Sequence, residues 1–412
     1  MGEASFGLWR SQGAQASGSA AFLFFGELFL IPHLLPIATA LARTPDSPRI
    51  TLFVITTIHE EIIRDAVERL GLTEKVRIRR ALGFRHFPAG CRDMPDLPPK
   101  LLVLALNAPA ILRHDVAVVA ERTSLWLPRV ARRLGANFIY NEHGAAPHAN
   151  FGTVRNRFAT RILMPGAGMA QRVRDSGHAD APIELVGYIK RDFIREISGT
   201  GTLPPFKEKR PTVVYVPHWL QGKSSWWAMG EQVLDHFARS KTHNLILAPH
   251  IRLPEVDPEF ASTIRPYLRS PNIHIDSGSF RLIDQSYING ADIYLGDGSS
   301  QVVEFAEHPR PAIFLNPDHV DWRTDPRFSH WTMGDVIGDI ADLDGALAAA
   351  PAAIERYAPI QRAYVERMMG ADDGLSSERA AAVVLEVIAE RQRRHGWVPL
   401  QSRAAAEVTA RA

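Results

Sequence analysis

Short apolar runs that suit buried β-strands alternate with helical patterns along most of this chain. In the first half, strands are predicted at residues 20–25, 50–55, 76–79, 101–106, 116–120 and 137–140, with helices at 33–43, 59–70 and 125–134. Continuous apolar strands are buried on both faces of a sheet, which indicates parallel strands covered by helices. The alternation of strand and helix therefore predicts an α/β, doubly wound domain.

A break in this pattern divides the chain. The segment 198–205 is rich in Gly, Thr and Pro, and a charged stretch follows it at 207–210, which is the composition of a linker. A second series of strands is predicted at 212–216, 244–248, 273–275, 292–295 and 312–315, with helices at 226–240 and 301–306 and an Ala-rich helical region at 342–394. Since 412 residues are too many for one ordinary core, two domains are expected.

The predicted architecture is two Rossmann-like, doubly wound parallel-sheet domains that face a central cleft. The expected divisions are a disordered N-terminus at 1–18, a first domain at 19–197, a linker at 198–211, a second domain at 212–375, and a C-terminal helix and tail at 376–412. Ligands of such sheets bind beyond the carboxyl ends of the strands. The cleft between the domains is therefore the expected site.

Composition narrows the possible classes of protein. A net charge of +2 gives no electrostatic argument for nucleic acid. The one cysteine, Cys91, allows neither an intrachain disulfide nor a cysteine-based metal site, and it fits a reducing compartment. Glu27, Pro32 and His33 interrupt the apolar run at 20–41, which favours a buried strand and helix over a membrane span. Residues 1–19 lack the features of a signal peptide, so a cytoplasmic location is expected.

Arginines are spread unevenly along the chain. Two clusters stand out, namely Arg129, Arg132 and Arg133, and Arg155, Arg157 and Arg161. Solvated helix faces would explain them, and so would an anionic substrate or a membrane surface. Any membrane contact is expected to be peripheral, at the inner face of the membrane.

One stretch in the second half carries a recognisable chemical pattern. A predicted strand at 292–295 runs into a short polar loop that contains Asp297, Ser299 and Ser300, and a helix follows. Either serine can cap that helix, whose free backbone N–H groups suit a phosphate. Glu304, one turn into the helix, is placed to accept hydrogen bonds from ribose hydroxyls. A plain capped helix with an exposed glutamate is the alternative.

Several segments together resemble the CDP-glycerol glycerophosphotransferases of teichoic-acid and capsule synthesis, a family of the GT-B superfamily. The matching segments, in chain order, are 139–144, 186–192, 214–219, 248–250, 291–300, 304–306 and 311–314. The resemblance covers roughly residues 143 to 317. The chain departs from the family pattern at Glu142, Leu220 and Gly298, where the family has Trp, Arg and Tyr. These departures bear on the group that is transferred.

The resemblance implies roles for particular residues. It implies that His143 is the general base for an acceptor hydroxyl, which suits an imidazole with an ordinary pKa of about 6.5. It also implies that His250 contacts the donor diphosphate and neutralises or protonates the leaving nucleotide. Ordinary loop histidines are the alternative. The donor-binding set is His218, Lys223, Asp297, Ser299, Ser300 and Glu304.

Three glycines are expected at the cleft. Gly144 and Gly187 are predicted as positions that need a close backbone approach or a positive φ. Gly26 is placed on the acceptor side, with a simple turn as the alternative. Asp297 has no second aspartate of a DxD motif, and His143 and His148 form no recognised metal-ligand set. The resemblance implies metal-independent transfer, with no cofactor besides the nucleotide-diphosphate donor.

Three functions remain open, and a fourth, that of the related 2-epimerases, is less favoured. The resemblance implies a transferase that moves a glycerol-phosphate or related polyol-phosphate group from a CDP-activated donor to a surface polymer or a lipid-linked acceptor. A GT-B glycosyltransferase with a nucleotide-sugar donor, for surface polysaccharide synthesis, is the alternative. Nucleotide-sugar 2-epimerases share the fold but need further acidic residues that the sequence does not place. A two-lobed binding protein without catalysis would need export.

Overall fold

The computed structural model describes residues 18–88, 90, 95–131, 135–145, 154–178, 180–199 and 202–394. Two sheets of parallel strands form within them, one in each half of the chain, as the sequence predicts. Some predictions fall outside the described residues, namely the disordered segment at 1–17, the tail from 395, Cys91, Arg132, Arg133 and His148.

The first sheet has seven parallel strands. They are β1 (Ser19–Phe24), β2 (Arg49–Thr56), β3 (Val76–Arg85), β4 (Val116–Val119), β5 (Phe138–Asn141), β6 (Arg161–Met164) and β7 (Ile183–Leu185). Their spatial order is β3-β2-β1-β4-β5-β6-β7. The order reverses between β1 and β4, which opens a crevice at the carboxyl ends of these two strands. The sequence pattern does not single out β6 or β7, which are only four and three residues long.

Among the described residues, six helices of the first half accompany the first sheet. They are α1 (Ile31–Arg43), α2 (Thr57–Arg69), α3 (Lys100–Ile111), α4 (Trp126–Val130), α5 (Ala167–Asp175) and α6 (Ile189–Phe193). The side chains of α1 and α2 form one apolar core with β1 and β2. Those of α3, α4 and α5 contribute to a second core, on the other face of the sheet, that continues into the second half of the chain.

The prediction of a strand at 101–106 is wrong, because these residues belong to α3. The buried side chains of α3 are Val103, Leu104, Asn107 and Ile111, which recur at the spacing of one helix face. The side chain of Asn107 fixes that face to the edge strand by bonding both backbone groups of Leu82. A continuous apolar run has no periodicity that separates a strand from a helix, which is why the sequence is ambiguous here.

The second sheet has six parallel strands. They are β8 (Thr212–Val216), β9 (Asn244–Leu247), β10 (Ile273–Ile275), β11 (Ile293–Gly296), β12 (Ala312–Leu315) and β13 (Asp335–Ile337). Their order is β10-β9-β8-β11-β12-β13, with a switch point between β8 and β11. The helices of this half are α7 (Trp226–Arg239), α8 (Leu253–Val256), α9 (Phe260–Ile264), α10 (Ser286–Gly290), α11 (Gln301–Phe305), α12 (Leu343–Met369) and α13 (Ser376–Arg394).

The last two helices return the chain to the first sheet. The end of α12 packs on α5, where a Cβ on Gly166 would lie 2.6 Å from the carbonyl oxygen of Arg367. Helix α13 then packs on α1 and adds Ala380, Val384 and Val387 to its core. Because α13 and α6 cover it, α1 is buried on every side from Ile31 to Ala42. The first lobe therefore consists of the seven-stranded sheet, its helices and α13.

Within the described residues, no helix combines the length and the apolar character that crossing a membrane requires.

Candidate active site

A cavity of about 250 Å³ lies between the two lobes, at the carboxyl ends of their central strands. Of the predicted site residues, it brings together His143, Gly144, His218, His250, Ser299, Ser300 and Glu304. Four further polar residues line it that the sequence did not single out as site residues, namely His33, Tyr188, Lys190 and Gln301.

His143 follows β5 and is held in one tautomer. Its Nδ1 lies 2.8 Å from the carbonyl oxygen of Ala120, which can only accept a hydrogen bond. Nδ1 therefore carries the proton and Nε2 keeps its lone pair. Burial lowers the pKa of His143, and the nearby Arg122 guanidinium adds to that effect while Glu142 opposes it. A neutral imidazole with a free Nε2 has the form that a general base requires.

His218 and His250 follow β8 and β9 and are held in the opposite tautomer. The backbone N–H of Leu220 donates to Nδ1 of His218 at 3.0 Å, and that of Arg252 donates to Nδ1 of His250 at 3.2 Å. Each neutral ring therefore carries its proton on Nε2, which makes both residues hydrogen-bond donors. The centroids of the two rings lie 5.6 Å apart.

Charge on these two rings is strongly disfavoured. Burial, followed by the nearby Lys223, lowers the pKa of His218 to about 4. Burial, followed by His218 and Arg252, lowers the pKa of His250 to about 3. At neutral pH both rings are therefore uncharged, so they can hydrogen-bond a phosphate oxygen but do not neutralise it as cations.

Asp297 organises the loops from behind the cavity wall. Its buried carboxylate accepts hydrogen bonds from the backbone N–H groups of His218, Ser225 and Gly298 and from the Ser225 hydroxyl, at 2.6 to 2.9 Å. Burial nevertheless raises the pKa of Asp297 to about 6. Asp297 does not line the cavity. Because of this position, Asp297 orients the His218 loop and does not contact an anionic ligand directly.

The loop after β11 meets the first lobe at Ser300. A Cβ placed on Gly144, whose φ is +81°, would lie 3.6 Å from the Ser300 hydroxyl oxygen. The helix that follows, α11, has five residues, and Ser300 at its start makes no side-chain capping bond. The neighbouring Ser299 hydroxyl accepts from the backbone N–H of Gln301 at 3.4 Å. The Ser300 hydroxyl thus lies where both lobes border the cavity.

Glu304 is engaged by the first lobe. The Tyr188 hydroxyl donates to its Oε1 at 2.5 Å, and the ammonium of Lys190 donates to Oε1 and Oε2 at 3.0 and 2.9 Å. Burial, followed by Glu304, raises the pKa of Tyr188 well above its ordinary value. Both donors lie within the 186–192 segment that resembles the transferase family. The sequence of that segment could have identified the two donors. It could not identify Glu304 as their partner, because Glu304 lies 114 or more residues away along the chain.

His33, in the first turn of α1, is a further histidine that lines the cavity. Its ring contacts those of Tyr188 and His143, with centroids 5.5 and 6.2 Å apart. Its Nδ1 is buried and has no hydrogen-bond partner among the described residues. Burial lowers the pKa of His33 well below its ordinary value, and Lys190 and His143 lower it further. The only sequence signal for this residue is weak, namely a histidine that interrupts the apolar run after β1.

Three predicted site residues besides Asp297 lie off the cavity. Lys223 belongs to the short 3₁₀ turn Gln221–Lys223 and is partly exposed. Gly187 has a φ of +90° and packs against α13, where a Cβ would collide with the Ser376 side chain. Gly26 follows β1, where a Cβ would collide with the Glu121 carboxylate. The structure gives Gly26 and Gly187 a packing role.

Acidic side chains lie behind His143. Lys100 donates to Glu27 at 2.8 Å and to Glu121 at 2.6 Å, and Arg122 donates to Glu142 at 2.5 Å. None of these carboxylates lines the cavity. Among the described residues, no cluster of three or more His, Cys, Asp or Glu side chains could hold a metal ion.

Comparison with known proteins identifies the fold. No protein-family model matches the chain, and no curated protein matches it. The wall teichoic acid polymerase TagF, in a structure soaked with CDPG, matches with a TM-score of 0.59 and 14% identity over 90% of this chain and 89% of that one. MnaA of S. aureus with UDP matches with a TM-score of 0.58 and 12% identity over 92% and 98%.

A third match is the UDP-GlcNAc 2-epimerase of Neisseria meningitidis bound to UDP-GlcNAc, with a TM-score of 0.56 and 12% identity over 91% of this chain and 100% of that one. Identities this low establish the fold alone. The chain has a GT-B fold, with two Rossmann-like domains of parallel strands.

Proposed function

We propose that this chain is a transferase that moves a glycerol-phosphate or related polyol-phosphate group from a CDP-activated donor to a hydroxyl of a surface polymer or a lipid-linked acceptor. One observation carries the proposal, namely the opposite tautomers of the histidines that line the cavity. His143 offers a lone pair from the first lobe. His218 and His250 offer N–H groups from the second. A base on one side and donors for phosphate oxygens on the other suit displacement at phosphorus.

The proposed step is a direct displacement at the β-phosphorus of the donor. The acceptor oxygen attacks the β-phosphorus of the donor, and its proton passes to Nε2 of His143. The bond from the β-phosphorus to the bridging oxygen breaks, and CMP leaves with the electron pair. The Nε2–H groups of His218 and His250 stabilise the charge that develops on the bridging oxygen. The two neutral rings suit this role because each already carries its proton on Nε2 and needs none from solvent.

The solved neighbours support the class of donor. TagF was soaked with CDPG, MnaA holds UDP, and the Neisseria epimerase holds UDP-GlcNAc. UDP is a nucleoside diphosphate, and CDPG and UDP-GlcNAc are derivatives of nucleoside diphosphates. The resemblance of residues 143 to 317 to the glycerophosphotransferases favours the CDP-activated donor among them.

A nucleotide-sugar glycosyltransferase is the second candidate. The observation that favours it is the pair of departures at Gly298, which lines the cavity, and Leu220, whose N–H fixes His218. In this reading His143 activates the acceptor for attack at an anomeric carbon. A 2-epimerase is less favoured, because Glu121 and Glu142 are paired with basic side chains behind the cavity wall.

A donor screen tests the proposal. Thermal melting is followed with CDP-glycerol, UDP-sugars and CMP-sugars, since a bound ligand raises the apparent stability. CDP-glycerol is expected to give the largest shift, and a larger shift with a sugar nucleotide would favour the second candidate. If no nucleotide shifts the transition, a binding protein for another ligand becomes the better interpretation.

Substitution of His143 tests the mechanism. The His143→Ala variant is expected to lose nearly all turnover while the donor-induced thermal shift is unchanged, because the ring contributes the base and not the diphosphate contacts. Exposed His308 provides the matched control, and His308→Ala is expected to keep full activity. Retained turnover in His143→Ala would contradict the assignment of the base.

A further inference from the structure

The outward face of α3 is apolar. Leu101 and Leu102 are 55% exposed and Leu106 is 46% exposed. Ala105 and Pro109 are exposed on the same helix. A surface helix normally presents polar residues to water and apolar ones to the core, whereas α3 presents apolar residues on both sides. Three leucines so close together form a patch, which isolated exposed residues do not.

The elements that pack beside α3 also carry exposed apolar residues. Helix α3 packs on the 3₁₀ turn Arg122–Leu125 and on α4, and both of these pack on a second 3₁₀ turn, Val154–Phe158. At the end of α4, Val130 is 76% exposed, and Val154 is 51% exposed at the start of the second turn. We call this surface the α3–α4 face. It is made by Leu101, Leu102, Leu106, Val130 and Val154, together with Arg113, Arg129 and Arg155.

The segments that form this surface contain basic residues and no acidic ones. Neither 100–113, nor 122–131, nor 154–161 contains an aspartate or a glutamate. The basic residues Lys100, Arg122, Arg157 and Arg161 are paired with carboxylates from other segments. Arg113, Arg129 and Arg155 form no ion pair with any described residue. The guanidinium groups of Arg129 and Arg155 lie over the Trp126 ring, at 4.3 and 5.6 Å from its centroid.

We propose that the α3–α4 face docks on a lipid surface that carries anionic headgroups. Exposed leucines, arginines without an ion-pair partner among the described residues, and an aromatic ring under two of the guanidinium groups are the combination that lies in a membrane interface. A peptide would need a groove, and none of these residues lines the cavity between the lobes. Charge complementarity therefore selects the anionic lipid among the possible partners.

The position of the face connects it to the cavity. Lys100, the first residue of α3, donates to Glu27 and Glu121 beyond the ends of β1 and β4. The exposed leucines thus begin at the carboxyl edge of the first sheet, the edge that also carries His143. Docking by this face would present the first lobe's side of the cavity to the membrane. This inference is independent of the proposed chemistry.

Vesicle sedimentation tests the inference with the full chain, in the absence of donor and acceptor. The vesicles are phosphatidylcholine alone or phosphatidylcholine mixed with phosphatidylglycerol. The unsubstituted chain is expected to sediment with the anionic vesicles only, and added salt should weaken binding. The triple variant Arg113→Gln, Arg129→Gln, Arg155→Gln is expected to bind about 100-fold more weakly, at about fivefold for each arginine. The triple variant Leu101→Ser, Leu102→Ser, Leu106→Ser is expected to lose at least as much.

A matched control uses an exposed leucine of the second lobe. Leu268 is 59% exposed, and Leu268→Ser is expected to bind vesicles as the unsubstituted chain does. All substituted residues are exposed or partly exposed, so circular dichroism and the nucleotide-induced thermal shift should stay unchanged. An unsubstituted chain that stays in the supernatant, or a leucine variant that binds fully, would overturn the proposal. So would equal binding to neutral vesicles. Loss of a dimer in the leucine variant with unchanged vesicle binding would assign the face to a second copy of the chain.

Discussion

The buried ion pair between Lys190 and Glu304 lends itself to a quantitative prediction. The Lys190→Met substitution keeps the length of the side chain but removes the ammonium that donates to both oxygens of Glu304. Only the Tyr188 hydroxyl then remains, among the described donors, for a carboxylate whose side chain is 5% exposed. Removing one partner of a buried ion pair costs about 3 to 5 kcal/mol of stability.

Proton uptake limits that cost. Protonating a glutamic acid of ordinary pKa, about 4.3, costs about 3.7 kcal/mol at pH 7 and about 1 kcal/mol at pH 5. A buried carboxyl that has lost its cation takes up a proton when protonation costs less free energy than staying charged. The free energy of unfolding is therefore expected to fall by at most about 3.7 kcal/mol at pH 7 and about 1 kcal/mol at pH 5. The deficit shrinks towards low pH because the folded variant holds a proton that the unfolded chain has released.

Urea denaturation of the variant and the unsubstituted chain at both pH values measures this deficit. Lys223→Met is the matched control, because Lys223 is partly exposed and pairs with no described carboxylate. Its effect is expected to stay within about 0.5 kcal/mol at either pH. A deficit for Lys190→Met below about 1 kcal/mol at pH 7, or one of equal size at both pH values, would refute the reasoning.

Glu121 and Gly187, which lie off the cavity, give two further predictions. Burial raises the pKa of Glu121 to about 7, against the opposing effect of Lys100. A raised pKa in the folded state removes stability as the pH rises through 7, so Glu121→Gln is expected to raise the free energy of unfolding by about 1 to 3 kcal/mol more at pH 8 than at pH 5, as measured by urea denaturation. A difference of the opposite sign would contradict this. Gly187→Ala is expected to lower the melting temperature, because φ is +90° and a Cβ would collide with Ser376. Gly278→Ala, which enters open space at ordinary φ, should leave it unchanged, and equal shifts for both variants would count against the argument.

Local sequence was a good guide to the second lobe. Its predicted strands at 212–216 and 312–315 coincide with β8 and β12, because each is a short apolar run bounded by a polar loop. The carboxyl ends of parallel strands share one edge, so the histidines that follow β8 and β9 come together there. His218 and His250 line one cavity for this reason.

Partnerships across the lobes could not be predicted in the same way. The expectation that Glu304 is open to ribose hydroxyls took no account of Tyr188 and Lys190, which approach from the other lobe. Asp297 is of a residue type that often contacts ligands, but its carboxylate faces inward and accepts hydrogen bonds from backbone N–H groups. Such contacts depend on how two lobes pack, and no local pattern in the sequence encodes that packing. The tautomers of the histidines likewise depend on single backbone atoms in the folded loops.

The path of α13 affects the order in which the chain can fold as it is synthesised. Helix α1 needs α13 to cover it, yet α13 is made last among the described elements. While the second lobe is being translated, the apolar side of α1 that faces α13 stays uncovered. The second lobe does not depend on α13 in this way, because its core is complete before α13 emerges from the ribosome. A nascent chain stopped before residue 376 would therefore expose a hydrophobic surface on its first lobe, where chaperones are expected to bind.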